Sequence, residues 1–168
     1  MAFYYFDASA LVKYYVTEPG STWVRHLVDG RNPVTLEWHH LLFTAEITRV
    51  EVAAALAIIE RVGRIRKAQR EREYRRFISQ FAYRYFVISL MTEDIELAAE
   101  LTQRHPLKAY DAVQLAVALR GQRALASVPI PLTFVSGDEA LLSAAQAEGL
   151  PTDNPFHHVA PEDTPHSL

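Results

Sequence analysis

The chain of 168 residues contains no cysteine. That excludes disulfides and thiolate metal sites, so any bound metal must be held by oxygen or by histidine. No apolar run approaches the ~20 residues that a membrane-spanning helix needs, so no membrane partner is expected. The opening residues carry no basic leader, and Asp7 interrupts the first apolar run, so they do not read as a signal peptide. Internal repeats and low-complexity segments are also missing. What remains is one soluble domain with one core, and 49% hydrophobic with 22% charged residues is ordinary for that class. A cytoplasmic location fits.

The formal charge of −3 hides an asymmetry. Between Arg61 and Arg76 stand eight basic residues, among them Arg64, Arg66, Lys67 and Arg70, against only Glu71 and Glu73. This stretch is net +6 and the rest of the chain −9. A basic ridge on an acidic body can hold a polyanion close to acidic chemistry. The same pattern also suits a solvated helix face with Glu–Arg pairs at helical spacing.

Hydrophobic period divides the chain into alternating strands and helices. Phe3–Phe6 reads as a buried strand, followed by a helix over 9–15 and a turn at Glu18-Pro19-Gly20. Ser21 is a candidate N-cap for a helix to about Val28, which Gly30 ends. The second strand is placed at 40–44 rather than 34–36, because Thr44 can cap the following helix; 33–39 is then an extra loop or edge strand. Trp38, His39 and His40 are too close in sequence to suggest a shared metal. A helix over 46–59, with Ile47, Val50, Ala54 and Ile58 as its apolar stripe, breaks at Gly63. A second helix over 67–85 carries Tyr74, Phe77, Ile78, Phe81 and Tyr85 on one face, so the two form a helical hairpin. A third strand at 86–90, helices over 92–103 and 109–119, a fourth strand at 132–136 and a helix over 139–148 complete the pattern. The tail from Pro151 is expected to be a last short strand and a loose end. Such alternation predicts a three-layer α/β/α fold around a parallel sheet of four to five strands.

Four acids stand out against this frame. Asp7 and Asp138 fall at the carboxyl ends of the first and fourth strands, where functional groups of parallel sheets collect. Glu51 and Asp111 lie in helical stretches whose neighbours are almost all apolar. A carboxylate in such company is costly to bury without compensation, so four of them suggest a shared cation. Carboxylate-only sites select hard ions such as Mg²⁺, with Mn²⁺ a possible substitute. Glu46 competes with Glu51, but five residues separate them by about 140° around a helix, so one metal cannot attract both. Ser9 and Ser136 are positioned to hydrogen-bond the carboxylates or, equally, to cap local backbone.

The segments around these acids resemble the PIN-domain family, in particular toxins of the VapC type. Phe6-Asp-Ala-Ser-Ala-Leu-Val-Lys13 with Glu18-Pro-Gly-Ser21 is similar to the family's opening. Thr48-Arg-Val-Glu51 with the alanines after it, Ala109-Tyr-Asp-Ala-Val-Gln-Leu-Ala, and Phe134-Val-Ser-Gly-Asp138 follow its later motifs. Ala147-Glu-Gly-Leu-Pro151 and Asn154-Pro155 resemble family endings. Two departures occur: the loop at 31–39 is longer, and Ser136 stands where the family usually has threonine. The resemblance implies one PIN-like nuclease domain over 1–155, with 156–168 as a tail. It implies a Mg²⁺-dependent endoribonuclease that acts as the toxin of a type II toxin–antitoxin pair and forms a homodimer. Asp7 and Asp111 would be direct ligands, and Glu51 and Asp138 would act directly or through water. Glu51 is preferred over Glu46 because it follows the family's Arg-Val-Glu spacing. Arg64, Arg66, Lys67 and Arg70 would face RNA or the antitoxin.

Other classes fit less well. A non-catalytic metal-binding or phosphoacceptor module also gathers acids at strand ends. A receiver-type module needs a lysine after a late strand, where Ser136-Gly137-Asp138 stands instead. A phosphatase of the haloacid dehalogenase type needs Asp-x-Asp, and Asp7-Ala8-Ser9 lacks the second Asp.

Overall fold

The structure, a computed structural model, describes residues 1–163. Its centre is β1 (Ala2–Phe6), buried on both faces, which explains the unbroken apolar sequence. Phe3 and Tyr5 join one core cluster, and Tyr4 and Phe6 the other, as the two-residue period of a strand requires. The sheet runs β3 (Phe86–Ile88), β2 (His40–Ala45), β1, β4 (Leu132–Val135), β5 (Thr152–Asp153), and every pairing is parallel. One face is covered by α1 (Ala8–Tyr15), α2 (Ser21–Asp29), α3 (Thr48–Arg61) and α4 (Lys67–Tyr83). The other face carries α5 (Thr92–Arg104), α6 (Ala109–Ala124) and α7 (Glu139–Ala147). Chain order leaves β1 toward β2 on one side and reaches β4 on the other, so the strand order reverses beside β1. Crevices at such reversals are where ligands meet α/β sheets.

Several local expectations are corrected. Thr44 does not cap α3: its hydroxyl donates to the Phe6 carbonyl at 2.8 Å and is 2.9 Å from the Thr48 hydroxyl. α3 therefore starts at Thr48, two residues after Glu46, which is exposed ahead of the helix. The buried stripe of α3 is Thr48, Val52, Leu56 and Ile59, packed on the α1 side. Val50 and Ile58, expected inside, are 62% and 55% exposed. Both stripes are apolar, so period alone could not choose between them. The α4 stripe through Phe77 and Phe81 lies inward as expected. Gly63 turns the hairpin at φ 79°, a left-handed conformation that favours glycine.

Ser21 is the first residue of α2 rather than its cap. Its buried hydroxyl donates to the Lys13 carbonyl at 2.6 Å and accepts from the Glu18 amide at 2.8 Å, tying α2 to the end of α1. The cap position belongs to Gly20, which has no side chain to offer. Asp163 supplies the missing acceptor from the far end of the chain, receiving the amides of Gly20 at 3.0 Å and Thr22 at 2.7 Å. The expected loose tail is therefore anchored at the buried Asp163 and runs through turns at Pro155–His157 and Pro161–Asp163, with most of the residues between 156 and 162 exposed. The part of that expectation covering 164–168 lies outside the described residues. The 31–39 segment is a loop closed by an Arg31–Trp38 bridge, not a sixth strand, and the Arg31 and Arg84 guanidiniums lie over Trp38.

Candidate active site

Asp7 follows the last residue of β1 and caps α1, its carboxylate accepting from the Ala10 amide at 2.9 Å. Asp138 does the same work on the neighbouring strand: it follows β4 and caps α7 through the Leu141 amide at 3.0 Å. Because Phe6 pairs with Val135, the two caps emerge side by side at the carboxyl ends of two central strands. Their helix-capping role and their place in a shared site are thus the same geometry. α3 and α6 bring Glu51 and Asp111, each from its first turn. All four acids line one cavity of about 460 Å³.

The hydroxyls expected around the carboxylates are present. Ser9 is 2.8 Å from Asp7 Oδ1, and Ser136 donates to Oδ2 at 2.9 Å. Both serines also accept backbone amides, from Gly137 to Ser9 at 2.8 Å and from Asp138 to Ser136 at 3.0 Å. Orienting the acid and capping the loop are therefore combined. Serine suffices for this, because the contacts need only a hydroxyl.

Electrostatics bind the four acids into one unit. Burial pushes Asp7 up to about 6 against the pull of the Ala10, Ser9 and Ser136 hydrogen bonds, and Asp111 adds repulsion. Burial raises Glu51 to about 7, opposed by a Gln114 hydrogen bond and reinforced by Asp7 and Asp111. Burial likewise raises Asp111, with Asp138 adding to the effect. Negative charge in this cavity is under-compensated by the protein itself. Oxygen donors with unmatched charge fit a hard divalent cation. Among the described residues no three histidine, aspartate or glutamate side chains stand together so as to hold a metal ion, so an ion here would take much of its coordination from water or substrate.

The sequence does not single out three further participants. Gln114, one turn beyond Asp111 on α6, donates through Nε2 to Glu51 Oε2 and to the Thr48 hydroxyl, while its Oε1 accepts from Tyr5 at 2.6 Å. This buried chain fixes the Glu51 carboxylate. Lys13 and Phe156 complete the cavity wall, with the Lys13 ammonium 3.7 Å from the Phe156 ring centre. A glutamine or lysine inside an apolar helix is the available signal for two of them. Glu46 does not reach the site and lines a separate groove with Arg49 and Phe86.

Of the four basic residues assigned to a partner, two are already engaged. Arg64 pairs with Glu18 at 2.8 Å, and Arg70 with Glu60 and Glu71. Arg66 and Lys67 are exposed and make no ion pair among the described residues. No helix among the described residues is long and apolar enough to cross a membrane.

A parallel sheet whose strand order reverses beside a cavity lined by five carboxylates, the four above and Glu18, defines the class of protein. The PIN domain family model matches residues 4–128, and the chain belongs to that family. Solved structures share the fold. PAE2754 from Pyrobaculum aerophilum matches with a TM-score of 0.62 at 19% identity, over 94% of this chain and 92% of that one. VapBC2 from Rickettsia felis, bound to a DNA fragment from its promoter, matches with a TM-score of 0.58 at 13% identity, over 90% and 98%. A toxin–antitoxin complex from Klebsiella pneumoniae gives 0.56 at 16% identity, over 93% and 98%. No curated protein matches in sequence.

Proposed function

We propose that this chain is a Mg²⁺-dependent endoribonuclease and the toxin of a type II toxin–antitoxin pair. The observation that carries the reading is the convergence of Asp7, Glu51, Asp111 and Asp138 on one cavity, with burial raising three of them from their ordinary values. Membership of the PIN family supports nuclease chemistry. RNA as substrate follows the likeness of the four motifs to VapC-type toxins.

Asp7 and Asp111 would hold the ion, and Glu51 and Asp138 would complete its shell directly or through water; Mn²⁺ could replace Mg²⁺. Bound there, the ion would polarise a phosphodiester and stabilise charge on its oxygens. Ser9 and Ser136 keep the Asp7 carboxylate from turning. Glu51 has Oε2 taken by the Gln114 amide, so Oε1 is the atom left to meet the ion or a water on it. Val50, Ile58 and Val62 form an exposed apolar stripe on the hairpin, close in sequence to Arg66 and Lys67. Such a surface suits a cognate antitoxin or a second copy of the chain.

Purified protein freed of any antitoxin should cleave RNA in Mg²⁺, and EDTA should stop it. Asp7→Asn or Asp111→Asn should abolish cleavage in a folded protein. Cleavage that persists in EDTA would remove the metal from the mechanism, and an inert wild type would remove the nuclease.

A further inference from the structure

We propose that Lys13 is the side chain through which this cavity grips a phosphate of its substrate, with Glu18 and Phe156 holding the ammonium in readiness. This rests on the nuclease reading above. Lys13 sits in the last turn of α1, the same short helix that Asp7 caps. Its side chain is only 2% exposed, yet it borders the cavity, and among the described residues it is the one basic residue to do so. Burying an ammonium is costly unless a partner or a ligand compensates it. Its partner does so incompletely. Glu18 Oε2 lies 3.4 Å from Lys13 Nζ, whereas Glu18 Oε1 is 2.8 Å from Arg64. Glu18 is thus already matched by Arg64 and can release Lys13 without being left alone.

Phe156 supplies the second restraint, its ring face 3.7 Å from Nζ. The ring stands on the short turn Pro155–His157 and is half exposed. Gly137 leaves room for it, since a Cβ there would come within 3.2 Å of the ring. The result is a cation on the wall of the cavity that the four acids line, held there by displaceable contacts. A phosphodiester entering an acidic cavity meets repulsion from every carboxylate. One ammonium on the cavity wall offsets part of it and sets the depth of the backbone.

The test compares wild type, Lys13→Met and Lys13→Arg on a mixed-sequence single-stranded RNA oligonucleotide with Mg²⁺. A ground-state phosphate contact predicts KM about tenfold higher for Lys13→Met with kcat nearly unchanged, and partial rescue by Lys13→Arg. The log–log salt slope of binding should fall by roughly 0.7, one single-strand phosphate. Mn²⁺ affinity of the free protein should hold or tighten, because a cation has left an acidic cavity. Lys13→Gln, whose amide can still donate to Glu18, is the second variant should Lys13→Met not fold, and carries the same expectation. A folded variant with lower thermal stability but unchanged KM and salt slope would reduce Lys13 to a structural ion pair. Tighter Mn²⁺ binding with unchanged KM would make it a counter-ion only, and either result overturns the proposal. A wild type that cleaves no RNA would sink the nuclease reading itself, which is a distinct outcome.

Discussion

Glu51 and Glu46 differ in what surrounds them more than in chemistry. Glu51 is held by the Tyr5–Gln114 chain on the wall of the acidic cavity, while Glu46 stands exposed before α3 begins. Glu51→Gln should lower the cleavage rate by about 100-fold or more, and Glu46→Gln should leave it within about twofold. Comparable losses in the two variants would place the reaction elsewhere. The raised carboxyls also set a pH dependence. Asp7 titrates at about 6 and Glu51 at about 7 when folded, above their ordinary values of 3.8 and 4.5. The folded state therefore retains protons that the unfolded chain releases, and stability falls as pH rises through this window. Metal-free protein should melt at a higher temperature at pH 5 than at pH 8, and Mg²⁺ should narrow the gap. Asp7→Asn keeps the cap and removes the charge, so at pH 8 without metal it should gain about 1 kcal/mol. Calorimetry across pH, with and without EDTA, measures both effects.

At the scale of elements, the capping of α2 is the most exposed dependency. Gly20 adopts φ 88°, and a Cβ there would meet the Pro155 carbonyl oxygen at 2.2 Å, so glycine is required by both backbone and packing. The cap must then come from elsewhere, and Asp163 provides it across 141 residues. Burial would raise this carboxyl, but the amides of Ala160, Thr22 and Gly20 and the Thr22 hydroxyl hold it below the usual range. Its contribution is therefore present near neutrality and is lost as pH falls through the carboxylate range. Asp163→Ala should cost about 2 kcal/mol in urea denaturation at pH 7, the upper range for an N-cap. The difference should shrink in acid. An unchanged midpoint at pH 7 would show that this strap contributes nothing to α2.

Over the whole molecule, charge is divided between an acidic body and the basic hairpin, net +6 over 61–76. The structure separates that ridge into paired and free cations. Arg64 and Arg70 are tied to Glu18 and Glu60, and Arg66 and Lys67 are open to solvent. If the ridge guides RNA, joint replacement of Arg66 and Lys67 by alanine should weaken binding uniformly across sequences. The salt slope should fall by roughly 0.7 for each phosphate that the protein no longer neutralises. Replacing Arg64 and Arg70 should change the slope less, since their charges are already matched. Binding titrations from 50 to 300 mM salt, roughly the range where a Debye length shrinks below 10 Å, decide the matter. An unchanged slope in the Arg66/Lys67 variant would reserve the ridge for a protein partner.

The sequence by itself determined the layered fold and marked the four acids that the fold brings to one cavity. Strand and helix periods are local, and an acid that ends an apolar strand or stands within an apolar helix is visible without knowing its neighbours. Asp7 and Asp138 were legible for that reason, and so was the parallel sheet that brings them together. Only the tertiary structure decided which face of α3 turns inward, because Val50–Ile58 and Val52–Leu56 are both apolar stripes and packing against α1 selects the second. The same holds for the start of α3, where Thr44 bonds to the carbonyl of Phe6 instead of capping the helix. Gln114, Lys13 and Asp163 act through partners tens of residues or more than a hundred away, or through a loop turned back on its helix. No local pattern encodes such pairings, since a polar side chain in an apolar segment shows that a partner is needed but not which one the fold will bring.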